Sequence, residues 1–160
     1  VCSSDLDTFP YASGEGASGT SGVIDAVTNG VGTIGYADAS KAGDLVSAKI
    51  KVGDAWVGHS AEAAAAILPI STAVEGRSET DMAVDLNRTT TDSSVYPLVL
   101  VSYLIGCNDY QDDAIGVLVN AYASYLTSEA GQTEAGNAAG SAPVTGATRE
   151  RAAAITAAIK

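Results

Sequence analysis

The sequence predicts a mixed α/β protein, and three of its stretches carry that prediction. Residues 96–107 form the most apolar run of the chain, rich in β-branched and aromatic residues, which is typical of a buried strand. Residues 45–52 alternate apolar and polar side chains, as a half-buried strand does. Residues 113–129 repeat apolar side chains at helical spacing behind two aspartates, and carboxylates favour a helix N-terminus.

Charge and length exclude several classes of protein. The chain has 160 residues, a formal net charge of -11 and 8 basic residues, which is enough length for one compact domain. Because so few side chains are basic, we expect no nucleic-acid partner and no attraction to anionic membrane surfaces. No apolar run approaches the roughly 20 residues that a transmembrane helix needs.

The first half of the chain shows short elements joined by turns. A helix is predicted over 23–28 from Ser21 or Gly22, then a strand over 32–37 and a turn or single helical turn over 38–43. Gly53-Asp54 forms a two-residue hairpin turn between 45–52 and 55–57. The predicted elements that follow are a helix over 61–68 from Ser60 to Pro69, a weak strand over 82–86 and a polar linker over 87–94.

Three helices are predicted after the apolar run. In the helix over 113–129, an apolar face is predicted to pack in the core; its residues are Ile115, Leu118, Tyr122 and Tyr125. The next helix, 132–139, stops at Gly140. Thr145 caps the last helix, where Ala152, Ile155 and Ile159 share one face.

Few residues suggest chemistry. The stretch 18–22, Ser-Gly-Thr-Ser-Gly, precedes a helix, so its hydroxyl and N–H groups can bind an oxyanion. The alternative interpretation, which we favour from the residues alone, is a flexible Gly/Ser loop with an N-cap. Residues 30–35 match G-x-G-x-x-G, but a helix precedes them and a strand follows, which is the wrong order for a dinucleotide loop. His59 is the only histidine, and no pattern ties it to a nucleophile or to metal ligands. We therefore predict neither catalytic residues, nor a metal site, nor a cofactor.

The first six residues, Val-Cys-Ser-Ser-Asp-Leu, resemble a translated sequencing adapter, because GTGTGCTCTTCCGATCT with one further base encodes them. We predict that residues 1–6 are such an artefact; the alternative is a genuine polar N-terminus. Without Cys2, Cys107 is the single cysteine, and it does not define a redox compartment.

The order of several segments resembles the phosphate-binding proteins of ABC transporters. In order, the family has a G-[ASTC]-[IV]-[GA]-Y segment after a helix, a lysine-containing strand with a hairpin, and then a further helix. A Tyr-Pro or Trp-Pro strand, an S-x-x-G-Q turn and a closing Ala-Pro-Leu follow. The corresponding segments here are Gly32-Thr33-Ile34-Gly35-Tyr36, residues 45–54, the helix near SAEAAAAI (60–67), Tyr96-Pro97, Ser128-Glu129-Ala130-Gly131-Gln132 and Ala142-Pro143-Val144. Cys107 and the high Ala and Gly content are similar to actinobacterial members.

The resemblance implies a partial type II periplasmic-binding-protein fold, in which two α/β lobes with mixed sheets close over an oxyanion. Residues 7–92 are then part of the second lobe, and residues 93–160 are the C-terminal part of the first. The implied protein is an extracytoplasmic, non-enzymatic solute-binding protein, monomeric at full length. Its partners are inorganic phosphate and the permease subunits of an ABC importer.

The resemblance also indicates where phosphate ligands belong. Ser18, Gly19 and Thr20 are the candidates for the family's Arg-linked Ser-Gly-Thr motif, although no arginine precedes them and 19–23 also matches a later Gly-rich turn. We expect the main ligands, and a signal or lipoprotein sequence, before residue 7. The alternatives are a binding protein for sulfate or molybdate, a secreted phosphatase-like enzyme, or a surface protein.

A chain that lacks part of both lobes should have uncovered apolar surface. We expect residues 96–107 to show an unpaired edge or an exposed face, and Val99, Leu118 and Tyr122 to lack packing partners. Several such side chains, each contributing roughly 1.5–3 kcal/mol when buried, exceed the stability margin of a typical domain. The isolated chain is therefore expected to fold poorly or to aggregate.

Overall fold

The computed structural model describes residue 14 and residues 16–160, so the predicted artefact at 1–6 lies outside the described residues. The described part is mixed α/β, as predicted. Its helices are α1 (Gly19–Asn29), α2 (Ala61–Ala65), α3 (Asp113–Thr127), α4 (Glu129–Ala139) and α5 (Gly146–Ala157). Its strands are β1 (Ile50–Val52), β2 (Ala55–Val57), β3 (Thr72–Ala73) and β4 (Val84–Asp85), which form two antiparallel pairs, β1–β2 and β3–β4.

The chain divides into two units, Val1–Val46 and Ser47–Lys160. The predicted lobe boundary after residue 92 lies within the second unit. That boundary refers to a larger two-lobed fold, and it stays a prediction.

In the first unit, α1 begins earlier than predicted and ends where predicted, and a 3-10 turn at Ala39–Lys41 confirms the single helical turn. The strand predicted over 32–37 is wrong, because the described part of this unit contains no strand that could pair with it. Its apolar side chains are left in solvent: Ile34 is 86% exposed.

The β1–β2 hairpin confirms the predicted turn at Gly53-Asp54. Val52 pairs with Ala55, and Gly53 has a φ of +58°, which a type II′ turn requires at its first central residue. Glycine is also needed for space, because a Cβ at this position would lie 2.6 Å from the carbonyl oxygen of Thr91. The first strand is shorter than predicted, since residues 45–49 have no partner strand in the part of the chain that the structure describes.

Helix α2 begins at the predicted residue, where the Ser60 hydroxyl accepts the N–H of Ala63 at 3.1 Å. It ends at Ala65, and Pro69 lies in a 3-10 turn, Leu68–Ile70. The weak strand predicted over 82–86 is present as the shorter β4, paired with β3. The apolar core of the described second unit is small; its members are Val52, Val57, Ile67, Val95, Ala123 and Ala152.

The strand predicted over 96–107 is wrong, because in the described residues no other strand lies beside it. Two backbone carbonyls of this segment have a side chain as their hydrogen-bond partner instead of a strand. The Arg88 guanidinium donates to the carbonyl oxygens of Pro97 at 2.8 Å and Val99 at 3.1 Å. Carbonyls of residues i and i+2 point to the same side of the chain when the backbone is extended. Residues 97–99 are therefore extended like a strand, although they belong to no sheet. The expected uncovered face is present: Leu98, Leu100 and Leu104, which an extended backbone places on one side, are 61%, 90% and 55% exposed.

Helix α3 confirms its predicted start, since the Asp112 carboxylate accepts the N–H of Ala114 at 2.9 Å. The predicted core face is wrong: Leu118 and Tyr122 are 69% and 59% exposed. The buried face instead carries Gly116 and Ala123, because α4 and α5 pack against α3 on that side. The expectation that Leu118 and Tyr122 lack packing partners is thereby confirmed, whereas Val99 is half-buried.

Helix α4 begins at Glu129, before the predicted start at 132, and ends where predicted. Gly140 ends α4 in the left-handed conformation, with a φ of +66°, and Thr145 occupies the N-cap of α5 without a side-chain bond. Ala152 is buried, and Ile155 and Ile159 are half-buried on the same face. The Asn120 amide of α3 donates to the carbonyls of Thr156 at 3.1 Å and Ile159 at 3.0 Å, which fixes the end of α5 against α3.

Candidate functional site

The predicted phosphate-binding residues lie together at the N-terminus of α1. Ser18 is the N-cap residue, with φ -83° and ψ 110°, yet within the described residues its hydroxyl caps none of the helix N–H groups. Gly19 has a φ of +64°, which favours glycine at this position. Ser18 and Gly19 are exposed, and Thr20 is half-buried.

The electrostatics of this position allow only weak anion binding. A helix N-terminus carries a partial positive charge, and the first turn of α1 contains no acidic residue to compete with an anion. However, Lys41 is the only basic residue of the sequence from 1 to 46. An exposed helix end alone contributes about 0.3–1 kcal/mol to a charge, so Ser18, Gly19 and Thr20 need additional charged ligands to hold phosphate firmly.

The G-x-G-x-x-G segment lies at the opposite end of α1. The N–H of Gly30 donates to the carbonyl of Ala26 at 3.0 Å, and the Thr33 hydroxyl donates to the carbonyls of Gly30 and Val27 at 3.0 and 3.2 Å. These bonds close the C-terminal end of the helix, where the exposed backbone groups are carbonyls and the dipole is negative. The geometry of a dinucleotide loop, with phosphate at a helix N-terminus, is not met.

Two of the shallow hollows on the described surface are each lined by one acidic side chain. The first, about 360 Å³, lies between α2 and the segment before α5; its lining residues are Ala61, Glu62, Ala65, Ala66, Pro69, Pro143 and Thr145. The hydrogen bond of Glu62 with its own backbone, and then that with Ser60, lower the pKa of this carboxyl, so it is an anion at neutral pH. The second, about 480 Å³, is lined by Asp25 on α1. A nearby carboxylate repels phosphate, so neither hollow suits it.

His59 is exposed, and its ring meets that of Tyr96 edge to face at a centroid distance of 6.4 Å. Cys107 is exposed, and its backbone N–H donates to the Tyr110 hydroxyl at 3.0 Å. Within the described residues, no three His, Cys, Asp or Glu side chains are grouped as metal ligands would be.

The S-x-x-G-Q stretch forms a turn between α3 and α4 that side-chain hydrogen bonds hold in place. Ser128 caps α4 by accepting the N–H of Gly131 at 3.1 Å, and its hydroxyl donates to the carbonyl of Tyr125 at 2.7 Å. A Cβ on Gly131 would collide with the Tyr125 carbonyl, so the turn requires glycine there. The Gln132 amide donates to the carbonyl of Leu126 and accepts the N–H of Val144, both at 2.8 Å.

Comparison of the chain with protein-family models, curated proteins and solved structures finds no match.

Among the described residues, no helix combines the length and the apolar character needed to span a bilayer.

Two arginines make contacts that their sequence context does not indicate. Arg88 binds the carbonyls of Pro97 and Val99, and Arg151 binds those of Glu79 and Asp81. Their partners are backbone atoms, which any residue supplies, so no pairing of side-chain types in the sequence could reveal these contacts.

Proposed function

We propose that the chain is the C-terminal part of an extracytoplasmic phosphate-binding protein that delivers inorganic phosphate to an ABC importer. It then belongs to a type II periplasmic-binding-protein fold, with residues 7–92 in one lobe and 93–160 in the other. Its role is binding rather than catalysis, and its partners are phosphate and the permease subunits of the importer.

The observation that carries the proposal is the connection between two of the resembling segments. Gln132, from the S-x-x-G-Q turn, accepts the backbone N–H of Val144, from the Ala-Pro-Val segment. Gly131 occupies a position where a Cβ cannot fit. The residues that carry the resemblance therefore have structural reasons to occur together, which supports reading them as one motif.

The uncovered apolar surface supports the view that other strands and helices complete the fold. Leu100 and Ile105 are almost fully exposed, and the outward face of α3 carries Leu118 and Tyr122. Apolar surface of this extent on a monomeric protein marks a place where other protein packs. In the proposed protein, the preceding part of the same polypeptide packs there.

The weak charge at the start of α1 supports placing the principal ligands in that preceding part as well. Desolvated phosphate is held best by several N–H and hydroxyl donors together with arginine. Ser18, Gly19 and Thr20 supply donors without a cation, so in this proposal they are at most auxiliary ligands. An Arg-x-x-x-Ser-Gly-Thr motif before residue 7 supplies the rest.

The test compares the 160-residue chain with the product of the longer gene. Isothermal titration with phosphate, sulfate and molybdate should give micromolar or tighter phosphate binding for the longer product and none for the chain alone. A S18A/T20A variant of the longer product should lose no more than about tenfold in affinity, equivalent to about 1.4 kcal/mol.

Each other outcome has a defined meaning. Preference for sulfate or molybdate would replace phosphate as the ligand, and hydrolysis of p-nitrophenyl phosphate would indicate a phosphatase-like enzyme. Micromolar phosphate binding by the chain alone would overturn the placement of the principal ligands. A complete gene that encodes neither an export sequence nor the arginine motif would refute the proposed function.

A further inference from the structure

The loop between β3 and β4, residues 74–83, has an exposed tip and a half-buried base at Val74 and residues 81–83. Residues 75–80 are all exposed, so burial of apolar side chains contributes little to their position. Gly76 has a φ of +75° with open space around it. A segment with few buried contacts is where a protein opens locally at the smallest cost in free energy.

Asp81 gives this loop an internal structure. Its carboxylate accepts the N–H of Ala83 at 2.8 Å and the guanidinium of Arg77 at 3.1 Å. Its own N–H donates to the carbonyl of Ser78 at 3.0 Å, and the N–H of Val74 donates to the carbonyl of Ala83 at 3.0 Å. All of these bonds lie within the loop, so they persist when the loop moves as a unit.

Contacts of a second kind tie the loop to distant parts of the chain. Nη2 of Arg151, on α5, donates to the carbonyl oxygens of Glu79 at 3.1 Å and Asp81 at 3.0 Å. At the base of the loop, the N–H of Val84 donates to the Tyr103 hydroxyl at 3.1 Å. These contacts span 70–72 residues for Arg151 and 19 for Tyr103.

We propose that residues 74–83 form a flap with a docked and a released state, and that Arg151 and Tyr103 are the latch that holds it docked. The internal bonds around Asp81 keep the flap folded in both states, and the β3–β4 pair is its hinge. Release breaks the bonds of Arg151 to the flap and the bond of Tyr103 to Val84 at the hinge. Among the described residues, these are the side-chain hydrogen bonds that tie the flap and its hinge to distant parts of the chain. This inference does not depend on the identity of any ligand.

The test is amide hydrogen exchange measured by NMR at Asp81, Ala83 and Val84. The host is the 160-residue chain carrying Leu100→Ser and Ile105→Ser, which removes two almost fully exposed apolar side chains. Arg151→Ala should raise the exchange rate of the Val84 N–H about tenfold, as the loss of a charged hydrogen bond predicts. The Asp81 and Ala83 rates should change less than about twofold, because their acceptors move with them.

Matched variants separate the latch from general loosening. Arg149→Ala removes an arginine from the same helix, one that lies 3.5 Å from Glu129 rather than against the loop, and should leave all three rates unchanged. Tyr103→Phe should raise only the Val84 rate, and Asp81→Ala should raise the Ala83 rate most.

Two results would overturn the proposal. An unchanged Val84 rate in Arg151→Ala means that Arg151 does not hold the loop. An equal rise at all three amides means that the loop unravels instead of moving as a flap.

Discussion

Gln132 and Val144 are joined by a hydrogen bond of 2.8 Å, from the backbone N–H of Val144 to the side-chain carbonyl of Gln132. The same amide group donates to the carbonyl of Leu126 at 2.8 Å. One side chain thus connects the end of α3, the start of α4 and the segment that leads into α5. This connection fixes the positions of the three C-terminal helices relative to one another, although the apolar core between them is small.

Replacing Gln132 with Ala should lower the free energy of unfolding by about 1–3 kcal/mol, because it leaves a half-buried carbonyl and N–H without their partner. Urea denaturation followed by circular dichroism measures the effect. The matched control is Gln111→Ala, since Gln111 is exposed and outside any helix. Equal stability of the two variants would show that Gln132 does not organise the helices.

Gly131 and Gly136 both lie in α4, but alanine should have opposite effects at the two positions. Gly131→Ala drives a Cβ into the Tyr125 carbonyl and should destabilise the chain by several kcal/mol or prevent folding. At Gly136, a Cβ meets only the carbonyl of Ser141 at 3.4 Å, so Gly136→Ala should gain up to about 1 kcal/mol from helix propensity. Thermal unfolding of both variants tests the pair; a stable Gly131→Ala would contradict the described turn.

Replacing Leu100 and Ile105 with Ser should reduce self-association and change the unfolding free energy by less than about 0.5 kcal/mol, because both side chains are already in solvent. Light scattering coupled to size exclusion measures the association. Val95→Ser, at a residue only 1% exposed, is the buried counterpart and should destabilise by about 2–4 kcal/mol. If the double variant self-associates as much as the unchanged chain, Leu100 and Ile105 do not mediate the association.

Asp92 should titrate below its ordinary range, because the Ser94 hydroxyl and then the Ser94 N–H bond its carboxylate and lower its pKa. A lowered pKa stabilises the fold above the ordinary aspartate pKa of about 3.9, and this contribution disappears as the pH falls through the folded-state value. Ser94→Ala should raise the Asp92 pKa in a carboxyl NMR titration, whereas Ser93→Ala should leave it unchanged. The same pKa in both variants would exclude Ser94 as the cause.

Much of the helical structure could be predicted from sequence because its determinants are local. The start of α3 depends on Asp112 and a bond to Ala114, two residues away. The end of α4 depends on Gly140, and the β1–β2 hairpin on Gly53 and its neighbour. In each case the deciding residues lie within one turn of the position that they determine.

Strands were predicted less well, because a strand needs a partner that local sequence does not identify. Residues 32–37 and 96–107 have suitable side chains, yet no strand of the described chain pairs with them. The candidate site likewise depends on parts of the fold that local sequence does not identify. The stretch 18–22 was recognisable as a helix start, but whether cations surround Ser18, Gly19 and Thr20 depends on the rest of the fold.

The amino-acid sequence by itself determined the α/β class, the capped ends of the helices and the hairpin turn, because side chains a few residues apart decide them. Only the tertiary structure decided which face of α3 is buried. The larger apolar side chains, Leu118 and Tyr122, predicted one face, but Gly116 and Ala123 occupy the other. The backbone of Lys160 passes so close to Gly116 that no side chain fits between them, and close approach of two backbones requires small residues.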